Sequence, residues 1–196
     1  MRQRAENCRA CQLADSRTNV VFGEGNPSAQ IMLIGEGPGA NEDLQGRPFV
    51  GRAGELLNKI LEASGFRREE VYITNVVLCR PPGNRTPTQA EMNACRPHWQ
   101  AKIARVRPQI LVCLGSTAVR ALIDPQARIT QIRGIWHRYD GIPVMPTYHP
   151  AALLRDPSKK RPVWEDFKAI RRAWLAFNDR ERLLVELSDV LGERIQ

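Results

Sequence analysis

Four short apolar runs, separated by segments with helical spacing, constrain the fold of this chain more than any other feature of its sequence. They are rich in the branched and large apolar residues that buried strands favour. The runs are Gln30–Ile34, Val71–Leu78, Gln109–Leu114 and Ile142–Met145. Strands that alternate with helices predict an α/β protein, with a parallel sheet covered by helices on both faces.

Helix-forming segments lie between and after these runs. They are Gly54–Ser64, Arg96–Val106, Ser116–Leu122, Arg161–Phe177 and Arg182–Leu191. A chain of 196 residues has room for one domain of typical length. We therefore expect a single domain over residues 1–196, with the C-terminal helices from about residue 161 packing on it or extending it. No apolar run approaches the roughly 18 residues of a membrane helix, and the N-terminus is too polar for a signal peptide, so we expect a cytoplasmic protein without a membrane partner.

Ligands of parallel sheets bind at the carboxyl ends of the strands. This rule directs attention to three stretches, Gly35–Gly54, Asn75–Arg85 and Pro146–Arg155. The net charge of +8 comes from 29 Lys and Arg against 21 Asp and Glu, and it favours a polyanionic partner, nucleic acid first. A basic protein without such a partner is the alternative, because net charge alone does not locate a patch.

Five cysteines in a chain of this kind favour a metal site over a disulfide framework, because cytosolic thiols are kept reduced. Cys8 and Cys11 form a C-x-x-C pair, and Cys79 and Cys95 flank a proline-rich loop. Four thiolates suit either tetrahedral zinc or an iron–sulfur cluster, and four unrelated free cysteines remain an alternative. Cys113 lies within an apolar run and is predicted to be a small buried hydrophobe.

The glycine-rich segment after the first run has no G-K-[ST] ending and no G-x-G-x-x-G spacing, which disfavours a nucleotide cofactor. Its glycines allow a ligand to approach the backbone, and Glu36, Glu42 and Asp43 supply carboxylates. Phe49 in the same segment is either a core residue or a surface on which a planar base stacks.

His149 follows the fourth run and is fixed before Pro150, whereas His98 and His137 have no feature that marks them. Beyond it, the neighbouring leucines and an arginine could form an apolar wedge with a phosphate anchor, or simply a helix start with two core leucines. These residues are Leu153, Leu154 and Arg155.

Taken together, these motifs resemble those of the family 4 uracil-DNA glycosylases, the iron–sulfur branch of the uracil-DNA glycosylase superfamily. The resemblance covers nearly the whole chain except the segment past about Arg161, and Asn41 stands where relatives often have an acid. The motifs are C-x-x-C at Cys8 and Cys11, Val20–Pro27, GEGPG at Gly35–Gly39, Glu42–Asp43, GRPFVGRAG at Gly46–Gly54, TNVVLCRPPGNR at Thr74–Arg85, Cys95, and HPAALLR at His149–Arg155.

The resemblance implies a three-layer α/β/α sandwich with a central four-stranded parallel sheet. It implies removal of uracil from single- or double-stranded DNA by a monomeric enzyme that repairs deaminated cytosine. It also implies a 4Fe–4S cluster on four cysteines, which are Cys8, Cys11, Cys79 and Cys95. Two other functions remain open: a uracil-DNA binding protein that is non-catalytic or traps its product covalently, and a zinc-stabilised nucleic-acid binding module.

The resemblance also gives roles to residues. Phe49 would stack on the base and Asn75 would read the uracil edge, with Gly37 and Asn84 completing the substrate pocket. His149 would donate a hydrogen bond to the leaving uracil, and Glu36 would orient the attacking water, with Glu42 supporting it or lining the pocket. The expected DNA contacts are Arg52, Arg85, Leu153, Leu154 and Arg155.

Overall fold

A six-stranded sheet forms the centre of the computed structural model, which describes the backbone of residues 1–192 and the side chains of residues 1–179. The strands are β1 (Glu24–Gly25), β2 (Ile31–Gly35), β3 (Tyr72–Asn75), β4 (Ile110–Leu114), β5 (His137–Tyr139) and β6 (Ile142–Thr147). Their order across the sheet is β1-β3-β2-β4-β6-β5. The four inner strands are parallel, as predicted.

The predicted count of four strands is corrected by two short antiparallel strands at the edges, β1 against β3 and β5 against β6. Both lack the apolar runs by which the inner strands were recognised, since an edge strand is covered less than a central one. The β5–β6 hairpin does carry a local signal. Asp140 and Gly141 connect its strands, both with positive φ (48° and 81°), and Asp-Gly is a favoured two-residue hairpin turn.

Helices occupy the predicted segments, and the structure adds short helices outside them. The helices are α1 (Arg2–Glu6), α2 (Leu13–Ser16), α3 (Ala40–Gln45), α4 (Arg52–Ala63), α5 (Gln89–Val106), α6 (Ser116–Leu122), α7 (Ile129–Ile132), α8 (Pro150–Arg155) and α9 (Lys160–Gly192), with 3-10 turns at Arg68–Glu70, Pro82–Asn84 and Pro157–Lys159. Helix α5 begins earlier than predicted because Thr88 and Glu91 form a capping box at its N-terminus.

The prediction of two C-terminal helices is wrong, because α9 runs without interruption through residues 178–181. That stretch, Asn-Asp-Arg-Glu, contains neither glycine nor proline to end a helix. The last four positions of the predicted domain, 193–196, lie outside the described residues. None of the described helices combines the length and apolar character needed to cross a membrane.

Alternating side chains of the inner strands divide the core into two parts. Met32 and Cys113 face α5 and α6, where Trp99 is buried against them. Leu33 and its neighbours face α4, α8 and α9, where Phe167 of α9 is 2% exposed. The sheet is thus covered on both faces, which confirms the three-layer α/β/α architecture, and Cys113 is the buried hydrophobe that its neighbours predicted.

Candidate active site

A cleft of about 650 Å³ opens at the carboxyl ends of the inner strands, where the sheet topology predicted a ligand. All three predicted stretches contribute to it. Among the lining residues are Glu36, Gly37, Glu42, Phe49, Asn75, Asn84, Arg85, His149 and Arg155. The structure therefore gathers nine of the predicted site residues around one cavity.

Glu42 and Asp43 are held by the backbone. Glu42 accepts hydrogen bonds from the N–H groups of Gly39 (3.1 Å), Val50 (2.9 Å) and Gly51 (2.9 Å), so both of its oxygens hold the glycine-rich segment together. Asp43 is 2% exposed and accepts from the N–H of Thr18 at 2.9 Å, which ties the N-terminal region to α3. Neither arrangement leaves a whole carboxylate free for a ligand.

Glu36 differs from these two. It comes directly after β2 and is partly buried in the wall of the cleft. Among the described residues, its side chain has one hydrogen-bond partner, the hydroxyl of Thr117, which donates to Oε2. The other carboxylate oxygen, Oε1, makes no hydrogen bond within the described part of the chain and is available to a water or ligand.

Phe49 and His149 stack on one another, with ring centroids 5.4 Å apart and an interplanar angle of 29°. Phe49 is 6% exposed and has a left-handed backbone (φ 52°), which is uncommon for a bulky residue. Gly54 makes room for this turn, because a Cβ there would lie 1.9 Å from the Phe49 carbonyl oxygen. Phe49 is consequently both a core residue and a wall of the cleft.

The imidazole of His149 has a defined tautomer when it is neutral. Its Nδ1 accepts a hydrogen bond from the N–H of Ala151 at 3.1 Å, capping α8. Burial, together with the nearby positive charge of Arg155, lowers the pKa of His149 to about 4. At neutral pH the ring is uncharged, so its proton lies on Nε2, which can act as a donor.

Asn75 is the last residue of β3 and is 1% exposed, yet its Oδ1 has no hydrogen-bond partner among the described residues. A buried acceptor left without a partner costs about 1–3 kcal/mol. Proteins satisfy nearly all such atoms, so this exception requires an explanation. An N–H group of a ligand in the cleft would supply the missing donor.

The predicted two-leucine wedge is corrected by the structure. Leu153 is 1% exposed and packs in the core with α9, whereas Leu154 is 42% exposed. Adjacent residues on a helix point about 100° apart, so α8 cannot direct both side chains outwards. Arg155 follows on the exposed side and makes no ion pair with another described residue.

The other predicted DNA contacts are less available. Arg85 donates two hydrogen bonds to Glu91, at 2.8 and 2.7 Å, and this pairing lowers the Glu91 pKa to about 2. Asn84, which was predicted to complete the substrate pocket, is exposed and accepts a hydrogen bond from Arg80 at 2.7 Å. Arg52 is exposed on the first turn of α4 and does not line the cleft. Among these cations, Arg155 is the one that faces the cleft without a described counter-ion.

Four cysteines surround a second, smaller cavity between the N-terminal helices, the loop after β3 and α5. They are Cys8, Cys11, Cys79 and Cys95. Arg17 donates to the Cys79 Sγ at 3.2 Å and to the Cys8 carbonyl at 3.0 Å. Within the described ranges, no group of three or more His, Cys, Asp or Glu side chains is arranged to hold a metal ion.

Comparison with known proteins agrees with this geometry. A family model of the uracil DNA glycosylase superfamily matches residues 22–168. The chain is 49% identical over 172 residues to a type-4 uracil-DNA glycosylase of Thermotoga maritima, covering 85% of this chain and 88% of that protein. It is 45% identical over 174 residues to a type-4 uracil-DNA glycosylase of Sulfurisphaera tokodaii, covering 84% and 79%.

This chain belongs to the type-4 uracil-DNA glycosylase family. The similarity to a type-5 uracil-DNA glycosylase of Thermus thermophilus is weaker, at 36% identity over 53% of each chain. The type-4 relatives thus account for far more of the sequence than the type-5 one does.

Sequence reasoning missed several residues that line the cleft of this type-4 family member. They are Ser116, Thr117, Arg120 and Tyr148 among others. Three of them lie on α6, which begins directly after the carboxyl end of β4. The carboxyl ends of inner parallel strands are where ligands are expected, and the end of β4 was not among the three predicted stretches. Applying the rule to every inner strand would have found this wall of the cleft.

Proposed function

We propose that this chain hydrolyses the N-glycosidic bond of uracil in DNA and leaves an abasic site. The observation that carries the proposal is the buried Asn75 amide, whose Oδ1 lacks a partner among the described residues and which lines the same cleft as Phe49. A base inside the stack cannot reach such a group, so the nucleotide must be flipped out at a cost of a few kcal/mol.

Asn75 accounts for the choice of uracil over cytosine. Its Oδ1 accepts from the N3–H of uracil, and its amide nitrogen donates to the O4 carbonyl. Cytosine presents an unprotonated N3 and an amino group at those positions, which leaves the buried amide mismatched on both sides. Sites of this kind discriminate by as much as about 10⁴ to 10⁵-fold.

His149 stabilises the leaving base. Breaking the bond puts negative charge on uracil, and the Nε2–H of a neutral imidazole donates to the uracil O2 as that charge develops. The hydrogen bond from Ala151 to Nδ1 supports this assignment, because it holds the ring in the tautomer that donates from Nε2.

Glu36 acts on the sugar side of the bond. Its free oxygen orients the attacking water and stabilises the positive character that develops on the sugar. Glu42 supports the reaction indirectly, because its three backbone hydrogen bonds fix the segment that carries Glu36 and Phe49. The contrast between their contacts favours Glu36 for the chemistry.

DNA approaches over the exposed side of α8. Leu154 is suited to fill the gap that the flipped nucleotide leaves, and Arg155 to contact a phosphate. Arg52 lies outside the cleft and would contact the backbone further along the strand.

A 4Fe–4S cluster fits the four cysteines. The described residues lining their cavity include no carboxylate, and Arg17 donates to a sulfur as it would to a metal-bound thiolate. The C-x-x-C pair and two cysteines from more distant segments supply four thiolates around this cavity, which is the ligand set of a 4Fe–4S cluster. When bound, the cluster would supply metal–thiolate bonds that join the N-terminal segment to α5 and so contribute folding free energy.

We infer that helix α9 belongs to the same domain as the sheet. The burial of Val163, Phe167 and Ile170 of α9 against the sheet supports a single domain over residues 1–196. We infer a monomer in the cytoplasm that acts on its DNA substrate in single- or double-stranded form.

The decisive experiment incubates the protein with a uracil-containing oligonucleotide and then with alkali, which cleaves abasic sites. The glycosylase gives strand scission at uracil and none at cytosine. Intact DNA held in a stable complex after denaturation indicates covalent trapping instead. Binding without either product, by a colourless protein, indicates a zinc-stabilised binding module.

A further inference from the structure

The junction between β4 and α6 contacts both side chains to which the proposed chemistry is assigned. Gly115 follows β4 with a φ of 91°, and a Cβ there would lie 2.9 Å from the His149 Cβ. Two residues later, the Thr117 hydroxyl donates to Glu36 Oε2. The segment from Gly115 to Thr117 thus contacts both His149, which is assigned to the leaving base, and Glu36, which is assigned to the attacking water.

Thr117 is 3% exposed and belongs to α6, which packs on the sheet through Ala118 and Val119. Thr117 is the second residue of α6, so no carbonyl of a preceding helical turn is available to its hydroxyl. The hydroxyl instead donates a hydrogen bond to the carboxylate of Glu36, which is 81 residues away in the sequence. The side chain therefore joins a packed helix to a residue of the cleft.

The Glu36 carboxylate depends on this contact for its orientation. It makes no ion pair with a described residue, and Thr117 is its one described hydrogen-bond partner. Without the hydroxyl, rotation about the side-chain torsions would move Oε1 away from the direction of the water. Misplacement of a reacting group by about 1 Å can reduce a rate about 10²-fold.

We propose that Thr117 is a positioning residue that holds Glu36 through Oε2, so that Oε1 faces the attacking water. This inference rests on the proposed function, since it needs Glu36 to act in glycosidic hydrolysis. Thr117 itself has no role at the base or the sugar.

The test measures single-turnover uracil excision and DNA affinity for Thr117→Val, which keeps the shape of the side chain and removes the hydroxyl. We expect the rate to fall about 10-fold or more, with affinity for uracil-containing DNA within about 2-fold of the parent. Thr117→Ser restores the hydroxyl and should recover the rate to within about 3-fold. Thr130→Val makes the same change at an exposed site of α7 outside the cleft and should keep the parent rate.

A double-mutant cycle separates positioning from general destabilisation. In a Glu36→Gln background, Thr117→Val should slow excision less than about 3-fold further, because the group it positions is already gone. Equal losses in both backgrounds, or no rescue by serine, would overturn the proposal. If the valine variant does not fold, the serine variant and Thr117→Ala carry the same comparison.

These results are distinguishable from failure of the proposed function. A parent protein that cleaves no uracil refutes the function itself. A parent that cleaves uracil, together with a Thr117→Val variant at the parent rate, refutes the positioning role alone.

Discussion

The cleft and the cysteine cavity share the segment between β3 and α5, but they treat polar atoms in opposite ways. In the cleft, Asn75 Oδ1 is buried without a described partner, and one oxygen of Glu36 is open. At the cysteine cavity, the Arg17 guanidinium makes three hydrogen bonds within the chain, to the Cys8 carbonyl, to the Cys79 Sγ and to the carbonyl of Glu6 at 2.7 Å. The first region has polar atoms ready for a visiting ligand, and the second uses them to hold its own chain together.

The substitution with the largest expected effect lies in the cysteine cavity. Cys95→Ala removes one proposed ligand from a site whose metal–thiolate bonds would join distant segments, so it should lower the melting temperature by about 10 °C or more and bleach the protein. Absorbance near 400 nm, iron content and thermal melting are measured together. Cys113→Ala is the matched control, because it truncates a buried cysteine away from the cavity and should keep the colour. Loss of iron with unchanged melting would contradict a structural role.

The substitution with the next largest expected effect lies in the cleft. Asn75→Asp replaces an amide by an acceptor-only carboxylate that repels the uracil O4, so uracil excision should fall by about 10³-fold or more. If the aspartate is protonated, it presents a donor and an acceptor to cytosine, and slow cytosine excision is expected. Single-turnover assays on uracil and cytosine oligonucleotides check both. Excision of uracil at the parent rate would show that Asn75 does not bind the base.

His149→Ala should reduce single-turnover excision about 10²-fold while leaving DNA affinity nearly unchanged, because the lost donor acts mainly in the transition state. The same variant reports on stability. The unfolded chain binds a proton at His149 near pH 6.5, whereas the pKa of about 4 keeps the folded ring neutral. Between these values protonation favours unfolding, so stability falls as the pH drops from about 6.5 to 4. The melting temperature should fall less steeply across this pH range for the alanine variant, and parallel curves would disprove the lowered pKa of His149.

The smallest effect compares two arginines on the rim of the cleft. Arg155→Gln removes a cation without a described counter-ion, so it should weaken DNA binding several-fold and reduce the slope of log affinity against log salt by about 1. Arg85→Gln removes a cation already paired with Glu91, so it should change the slope little and instead lower stability. Equal salt slopes for the two variants would contradict the distinction.

The inner sheet was predictable because its strands carry continuous apolar runs that only a buried parallel sheet accommodates. The Asp140–Gly141 turn shows that the β5–β6 hairpin was also readable, whereas the two residues of β1 carry no periodic signal. The cleft followed from strand ends and from the motifs of the resemblance. The outcome for Leu153 and Leu154 could not be predicted, because the phase of a six-residue helix against the core depends on where α9 packs.

The different roles of Glu36 and Glu42 could also not be predicted from the sequence. Glu36 and Glu42 are only six positions apart and chemically alike, and their difference lies in their partners. Glu42 meets backbone N–H groups of its own segment, whereas Glu36 meets a hydroxyl from another layer of the fold. Contacts between distant elements become visible only when the elements are placed in space.

The unpartnered oxygen of Asn75 has a consequence for how the enzyme searches DNA. Thymine carries the same N3–H and O4 as uracil and differs by a methyl group, and guanine also presents an N–H beside a carbonyl, at N1 and O6. Cytosine and adenine instead present an unprotonated ring nitrogen beside an amino group. The amide thus mismatches cytosine and adenine by hydrogen bonding and leaves thymine and guanine to be excluded by shape at the cleft wall. Extruded cytosine or adenine therefore adds no hydrogen bond at Asn75 Oδ1 to the phosphate contacts, and the missing donor is supplied only by a base that presents an N–H beside a carbonyl on a ring that the cleft admits.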